Sequence, residues 1–454
     1  MASKRMVLLG EKNIKNALIT LALPAIIGML INAVYNVVDR WWVSHLGTGA
    51  LAATNIVFPL FALIGAVGLT FGLGAGSYVS RLLGEKNKEL AQKTASTAIF
   101  SSFFCGISFS LFALFYMEPV LVLLGASETS MVYALDYATY LSIGAIFTML
   151  NMTMNNLLRA EGSPNIAMYA MLFGAVINIF LDPIFIFAFK LGISGAAIAT
   201  VISQMISTLI LSSYYFNRHS ELKIGVRKIT LSKQIYQEIM KIGTPTFFRQ
   251  VLASISLVFI NNAAKVYGDE AQAGIGIVNI VFLIAYYVLV GFNQGFQPLA
   301  GFNYGARKFS RLKEAIKVAI SWATIYCVVI TIIFSGFAAI IAGAFSDNKE
   351  VIRIASMGLR VYSIMLPFMG FSMIITGLYQ ALGYAKGAAL LSLARQGIYL
   401  IPAILILPDI FGLEGVIYSQ FTADLLTLIT TIMCWIYIKN KLQKLEAYYT
   451  EERA

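Results

Sequence analysis

Apolar runs long enough to cross a membrane recur along the whole chain of 454 residues. A helix rises about 1.5 Å per residue, so a run of about 20 residues crosses a hydrocarbon core of about 30 Å. Apolar residues make up 59% of the chain and charged residues only 12%, whereas soluble proteins have about a half and about a quarter. The regions between the runs are too short for a sizeable soluble domain. The sequence therefore predicts a membrane protein throughout.

The apolar runs are continuous and do not alternate with a period of two, which favours helices over a β-barrel. We predict an all-α polytopic membrane protein with about twelve transmembrane helices. The predicted spans are 14–38, 50–78, 94–116, 132–157, 164–189, 193–216, 236–264, 271–300, 314–343, 355–381, 387–408 and 413–438.

The basic residues are distributed by loop. Most of the 33 Lys and Arg lie near the N-terminus, in the segments 81–93, 217–241 and 303–317, and in the C-terminal tail. These segments all lie on one side of the predicted bundle, so the positive-inside rule places both termini in the cytoplasm, in a cytoplasmic (inner) membrane. The net charge of +11 forms no single patch, so we expect a lipid bilayer and small molecules as partners, no nucleic acid, and a monomer.

The chain repeats itself at a distance of 221 residues. At this offset Pro24 falls on Pro245 and Gly84 falls on Gly305. The repeat predicts two lobes of six helices, and because six is even, both lobes begin on the same side of the membrane. A pseudo-twofold axis along the membrane normal should relate them, as in many secondary transporters. The predicted parts are a first lobe at 1–216, a cytoplasmic basic linker at 217–235, and a second lobe at 236–454 with a short cytoplasmic tail.

An acidic side chain interrupts the apolar stretch GAVINIFLDPIFIFAFK at 174–190. An ionisable group in hydrocarbon is costly and usually functional, which makes Asp182 a candidate site residue. Asn178 lies one turn earlier on the same face, and Pro183 leaves the carbonyl of Ile179 without its helical donor. Such oxygens suit a hard cation, and a desolvated carboxylate also binds a proton. The alternative is an Asp that only stabilises a kink.

The first predicted helix ends in a polar stripe, INAVYNVVDRWW, in which Asn32, Asn36 and Asp39 share one face. Asp39 is near the outer end of this helix, and Asp182 and Thr200 each lie about 10 Å below the outer end of their own helices. The alternatives are an interfacial role for Asp39 and a bond from Thr200 to its own backbone. The predicted cation or proton site contains Asp39, Asn178, Asp182 and Thr200, with Asn32 and Asn36 as accessory residues.

The second half lacks this acidic pair, because the offset places Asp39 on Ile260 and Asp182 on Ala403. We therefore expect one ion site, in the first half. The polar candidates for a cavity in the second half are Arg249, Gln294, Arg395 and Asp424. A structural ion pair between Arg395 and Asp424 is favoured over a contact with substrate.

Enzymatic signatures are missing from the sequence. It has neither an HExxH pair nor a GxxxxGK[ST] loop, and no histidine falls within a predicted span. We predict no catalytic residues, no cofactor and no metal other than Na⁺. Active transport would then use a gradient of sodium or protons.

Six separated motifs occur in order along the chain. They are LALPAIIGMLINAVYNVVDRWWVSHLGTGALAA, GAGSYVSRLLGEKN, RAEGSP, NIFLDPIFIFAFKLGISGAAIAT, GFNQGFQPLAGFNYGARK and LYQALGYAKG. Together they resemble the multidrug and toxic compound extrusion (MATE) family, and within it the prokaryotic branch with the DNA-damage-inducible and staphylococcal multidrug members. The resemblance covers essentially the whole chain.

The resemblance implies antiport of cationic or amphiphilic compounds against sodium or protons, by alternating access of two six-helix lobes around a central cavity. The first-lobe cation site of the family matches Asp39, Asn178, Asp182, Thr200 and Tyr35. Bending of the first helix at Pro24 is a further implication. Some relatives carry acids on helices 7 and 10, which this sequence lacks. The alternative function is a flippase of lipid-linked precursors, whose cavity should carry several Arg and Lys.

Overall fold

The computed structural model describes residues 4–217 and 220–451, and these residues form helices and no strand. The α-helices are α1 (Lys4–Gly10), α2 (Ile14–Ser44), α3 (Thr48–Gly84), α4 (Lys88–Leu123), α5 (Glu128–Ile143), α6 (Ala145–Ala160), α7 (Pro164–Pro183), α8 (Gly192–Phe216), α9 (Lys233–Lys265), α10 (Asp269–Gly305), α11 (Phe309–Gly336), α12 (Ala338–Gly343), α13 (Lys349–Leu382), α14 (Ala385–Leu393), α15 (Ile401–Phe411) and α16 (Leu413–Glu451). Two π-helical segments, Ile184–Ala188 and Ala394–Leu400, and one 3₁₀ turn, Val226–Lys228, lie between them.

Within the described residues, 11 helical segments are long and apolar enough to span a membrane. The one predicted span without such a counterpart is the fourth, 132–157, which corresponds to α5 and α6. These two helices meet at Gly144. A Cβ at Gly144 would lie 2.3 Å from a methyl carbon of Val201 on α8, so the glycine allows a close helix contact where the two segments join. The predicted all-helical membrane fold is confirmed.

The last helix is longer than predicted. We expected it to end near residue 438, but α16 continues to Glu451. Its extension is held by packing, because Leu442 is buried and the Tyr449 ring stacks on Phe309 of α11. A polar sequence of high helix propensity therefore stays helical beyond the apolar run.

The two halves meet through symmetric helix pairs, since α3 packs against α9 and α10 packs against α2. A Cβ added to Gly84 would lie 2.1 Å from the carbonyl oxygen of Phe302, and one added to Gly305 would lie 2.1 Å from that of Arg81. The repeat offset relates Gly84 to Gly305 and Arg81 to Phe302. Each glycine thus contacts the other half in the same way, as expected at a twofold axis.

The bundle is closed at the end where α2 begins, which we name the terminal end. Arg81 on α3 forms an ion pair with Glu238 on α9, 3.0 Å between Nη2 and Oε2, and donates from Nη1 to the carbonyl of Leu382 at 3.4 Å. The hydroxyl of Ser77 donates to the carbonyl of Gln380 on α13. These polar bonds join the two halves directly.

The N-terminal helix α1 and the linker also form hydrogen bonds to residues at the terminal end. Asn303 Nδ2 donates to the carbonyl of Leu9 on α1 at 2.9 Å. In the linker, the Ser220 hydroxyl and the Glu221 amide donate to Glu161 Oε2 at 2.5 and 3.1 Å. Residues 218 and 219 of the predicted linker, like 1–3 and 452–454 of the predicted lobes, lie outside the described residues. The lobe boundaries stay predictions.

Glu161 provides a test of this linker contact. It lies in the turn between α6 and α7, outside the spans, and burial raises its pKa to about 7 from a usual value of 4.5. The folded protein therefore holds this proton more tightly than the unfolded chain does. The contribution of this proton to the free energy of unfolding is fully present below pH 4.5 and is lost as the pH rises through about 7.

Glu161→Gln should keep the acceptor oxygen without the charge. We expect it to raise the melting temperature at about pH 8, where the ionised carboxylate costs up to about 3 kcal/mol, and to change little at about pH 5. Thermal denaturation of the purified protein at both pH values measures this. Equal melting-temperature changes at the two pH values would contradict a buried titrating carboxyl.

Candidate cation site

The polar stripe of the first predicted helix lies on the second half of α2. Tyr35 is buried and Asp39 is half-buried, although one carboxylate oxygen of Asp39, Oδ1, is fully enclosed. Pro24, inside the first half of α2, is buried and cannot donate to the carbonyl one turn earlier. Its predicted role as a bending point stays a prediction.

Asp182 is placed by an irregular helix end. Pro183 ends α7, and the chain continues as the π-helical segment Ile184–Ala188, in which the Phe189 amide donates to the carbonyl of Ile184 at 2.9 Å. A proline has no amide hydrogen, and π-helical turns are frequent at functional sites. The irregular segment directly follows Asp182, so its backbone departs from regular α-helix next to the acid.

Three of the predicted side chains contact one another directly. Asn178 Nδ2 lies 3.1 Å from Asp182 Oδ1 and 3.4 Å from Thr200 Oγ1 on α8. Asn178 and Asp182 have no exposed surface, and Thr200 keeps only 4%. The contact between α7 and α8 therefore encloses a carboxylate, an amide and a hydroxyl.

Helix α2 completes the group. The Tyr35 side chain lies close enough to Asp39 and Asp182 for electrostatic interaction, and Asp39 lies close enough to Asp182 for their charges to interact. The two acids predicted from separate parts of the sequence thus lie near each other in one buried region between α2, α7 and α8.

Three oxygens of this group have no hydrogen-bond donor among the described residues. They are Asp39 Oδ1, Asn178 Oδ1 and Asp182 Oδ2, and all three are buried. Buried acceptors without donors are costly, and two nearby carboxylates also repel each other. A bound cation or a proton would remove both penalties, so the chemistry of these residues fits Na⁺ or H⁺.

A further residue of this region, Tyr137 on α5, was not predicted from the sequence. It is buried and lies within the electrostatic reach of Asp39, Tyr35 and Asp182. Its hydroxyl adds a polar group on a fourth helix. The sequence signal was weak, because one tyrosine in an apolar helix is usually a packing residue.

The predicted accessory residues bond to each other. Asn36 Nδ2 donates to the backbone carbonyl of Asn32 at 2.6 Å and to its side-chain oxygen at 3.0 Å. The pair thus stabilises the surface of α2 one turn from Asp39. A role for it in ion binding stays a prediction.

The predicted polar residues of the second half are spread over several helices. Arg395 Nε donates to Asp424 Oδ1 at 2.5 Å, and Gln420 Nε2 donates to Asp424 Oδ2 at 3.1 Å. Arg249 Nε and Gln294 Oε1 are buried without a partner among the described residues. Arg395 and Asp424 thus neutralise each other, as an ion pair between α16 and the π-helical segment Ala394–Leu400.

Comparison with known proteins places the chain in a family. A model of the MatE family matches residues 24–184 and again residues 245–405. The chain is a member of the MatE family. The two matches are displaced by 221 residues, which confirms the internal repeat. The predicted resemblance is therefore also confirmed.

Individual members of the MatE family are similar over nearly the whole chain. The multidrug export protein MepA of Staphylococcus haemolyticus is 31% identical over 434 residues, 95% of each chain. A solved outward-facing structure of a multidrug resistance MATE transporter is 27% identical with a TM-score of 0.91, and covers 98% of this chain and 100% of its own.

A MOP superfamily transporter of Pyrococcus furiosus, described as having a binding pocket of reverse polarity, has a TM-score of 0.91 to this chain. It is 26% identical and covers 98% of this chain and 99% of its own. The likeness supports the two-lobed fold of this superfamily for the MatE chain described here.

Proposed function

We propose that this chain exports cationic and amphiphilic small molecules by antiport against sodium or protons. The observation that carries the proposal is the pair of Asp39, which is half-buried, and Asp182, which is fully buried; they lie near each other, and each has an enclosed oxygen that lacks a donor. Multidrug export by the staphylococcal relative supports the substrate class.

The site is connected to the contact between the halves. Asp39 lies on α2, which packs against α7 of its own half and against α10 of the other half. When the acids hold a cation or a proton, their repulsion falls and α2 can pack closely on α7. When they are empty, repulsion disfavours that packing, so the two states of the site favour different positions of α2.

Alternating access follows if the two positions of α2 differ in which end of the bundle is open. An ion that binds one arrangement better shifts the equilibrium towards it, and a substrate that binds the other arrangement better shifts it back. Coupling then needs no direct contact between ion and substrate. We propose this linkage as the basis of exchange.

The flippase alternative is not favoured. A phosphate-bearing substrate would need several free basic groups in its cavity. Of the two arginines predicted for the second half, Arg395 is neutralised by Asp424, and only Arg249 has an unpaired nitrogen. Two of the named relatives are a multidrug export protein and a multidrug resistance transporter, which supports a transporter without catalytic activity. We further propose a monomer in the cytoplasmic membrane with both termini inside.

Reconstitution tests this function. Purified protein in liposomes should expel a fluorescent cationic dye when a sodium gradient or a proton gradient is imposed, and one of the two gradients should be effective alone. Liposomes without protein and liposomes with both gradients collapsed by ionophores serve as controls. Folded protein that moves no dye under either gradient would contradict cation-coupled export.

A further inference from the structure

A polar cavity lies between the two halves, towards the terminal end. It is lined by α3 and α6 from the first half and by α10 from the second, and it has room for only a small group. Its polar lining consists of Ser77, Ser80, Asn156, Arg159, Gln294 and Gln297. None of the residues predicted for the cation site lines it, so it is a separate site.

Arg159 is the one charged residue among the described residues that line this cavity. It is only 7% exposed, and its guanidinium has no hydrogen bond or ion pair among the described residues. Two other enclosed arginines differ, since Arg81 is paired with Glu238 and Arg395 with Asp424, whereas Arg249 Nε also lacks a partner among the described residues but does not line this cavity. A buried charge without a partner is strongly unfavourable.

The nearest acid in sequence does not serve Arg159. Glu161 accepts from the linker at Ser220 and Glu221, and the charge that acts on it is that of Arg5. A guanidinium carries five N–H donors and keeps its charge at any physiological pH. Its missing partner is therefore expected in the cavity.

Amide groups on both sides of the cavity supply more donors. Asn156 Nδ2 donates to the carbonyl of Met152 at 2.8 Å, and Gln297 Nε2 donates to Gln380 Oε1 at 2.9 Å. Each NH₂ group has two hydrogens, so one hydrogen of each remains for a ligand. The free donors thus come from α6 in the first half and from α10 in the second.

We propose that Arg159 binds a small monovalent inorganic anion, of which chloride is the most abundant, between the two halves. A single guanidinium balances one negative charge, whereas a phosphate dianion would need a second cation that the lining lacks. Because both halves contribute donors, the anion stabilises the arrangement that is closed at the terminal end. This inference does not depend on the proposed transport activity.

Anion titration of the purified full-length protein tests the proposal. Sodium gluconate is replaced stepwise by sodium chloride or sodium bromide at constant sodium and pH, and the melting temperature is recorded. We expect chloride and bromide to raise it by about 2 °C. Arg159→Gln should abolish the rise, and its melting temperature in gluconate should equal or exceed that of the unchanged protein, because an unpaired buried charge is gone.

Matched variants separate the site from general salt effects. Arg227 is exposed on the 3₁₀ turn of the linker, so Arg227→Gln should keep the full rise. Arg159→Lys should keep part of it, because the charge remains but the fork of donors is lost. An equal rise in Arg159→Gln and the unchanged protein, or no rise in the unchanged protein, would overturn the proposal.

Crystallography gives a test without any variant. Crystals of the unchanged protein grown in sodium bromide should show an anomalous peak beside Arg159, within hydrogen-bond distance of its guanidinium. The absence of that peak in a well-ordered cavity would overturn the proposal, even if Arg159→Gln proved unable to fold.

Discussion

Asp182→Asn is expected to lose gradient-driven efflux while folding and inserting normally. The amide keeps the shape of the side chain but has no charge that an ion can neutralise, so the site no longer responds to the gradient. Coupling free energies between sites correspond to about 5- to 150-fold changes in equilibrium, so we expect efflux to fall about 10- to 100-fold. Dye efflux from liposomes under the effective gradient measures the loss.

A second aspartate of the first half provides a matched control. Asp136 on α5 is exposed and accepts from the Ser194 hydroxyl at 3.2 Å. Asp136→Asn makes the same chemical change at a surface carboxylate, so efflux should stay within about twofold of the unchanged protein. Unimpaired efflux in Asp182→Asn, or equal losses in the two variants, would refute the role of Asp182.

The cation site was largely predictable because its members lie on helices whose ends are marked by the sequence. Depth along each helix placed Asp39, Asp182 and Thr200 at one level, and the four-residue spacing placed Asn178 beside Asp182. The structure brings these residues together. Depth says nothing about which way a helix is rotated, and for this reason Tyr137 was missed.

Arg159 was also outside the reach of sequence reasoning. In the sequence it looks like one more basic residue in a short turn, as the positive-inside pattern requires. Its burial depends on the contact between the halves, which encloses it beside Gln294 and Gln297. A repeat predicts that two halves exist, but it does not give the surface on which they meet.

Gly84→Ala is expected to disfavour closure at the terminal end. The added Cβ would lie 2.1 Å from a backbone oxygen of Phe302, so α10 itself would have to move. Overpacking of this kind costs about 1–3 kcal/mol, which reduces the closed population about 10-fold. Arrangements open at this end lack the contact, so the protein should still fold. Gly305→Ala should have the same effect, because it meets Arg81 in the same way.

The same helices provide the controls, since a Cβ at Gly65 on α3 or at Gly276 on α10 would meet no atom within 4 Å. Alanine there removes a helix-destabilising glycine, so export should persist with equal or higher stability. The first readout is dye efflux, which should fall about 10-fold only in the Gly84 and Gly305 variants. The second is maleimide labelling of a cysteine introduced by Ser77→Cys into each variant. Labelling should become faster in the Gly84 and Gly305 variants than in the protein with Ser77→Cys alone. Labelling that stays slow in Gly84→Ala would mean that the glycine contact does not control closure. Faster labelling with normal efflux would mean that the terminal end closes during transport without needing this contact.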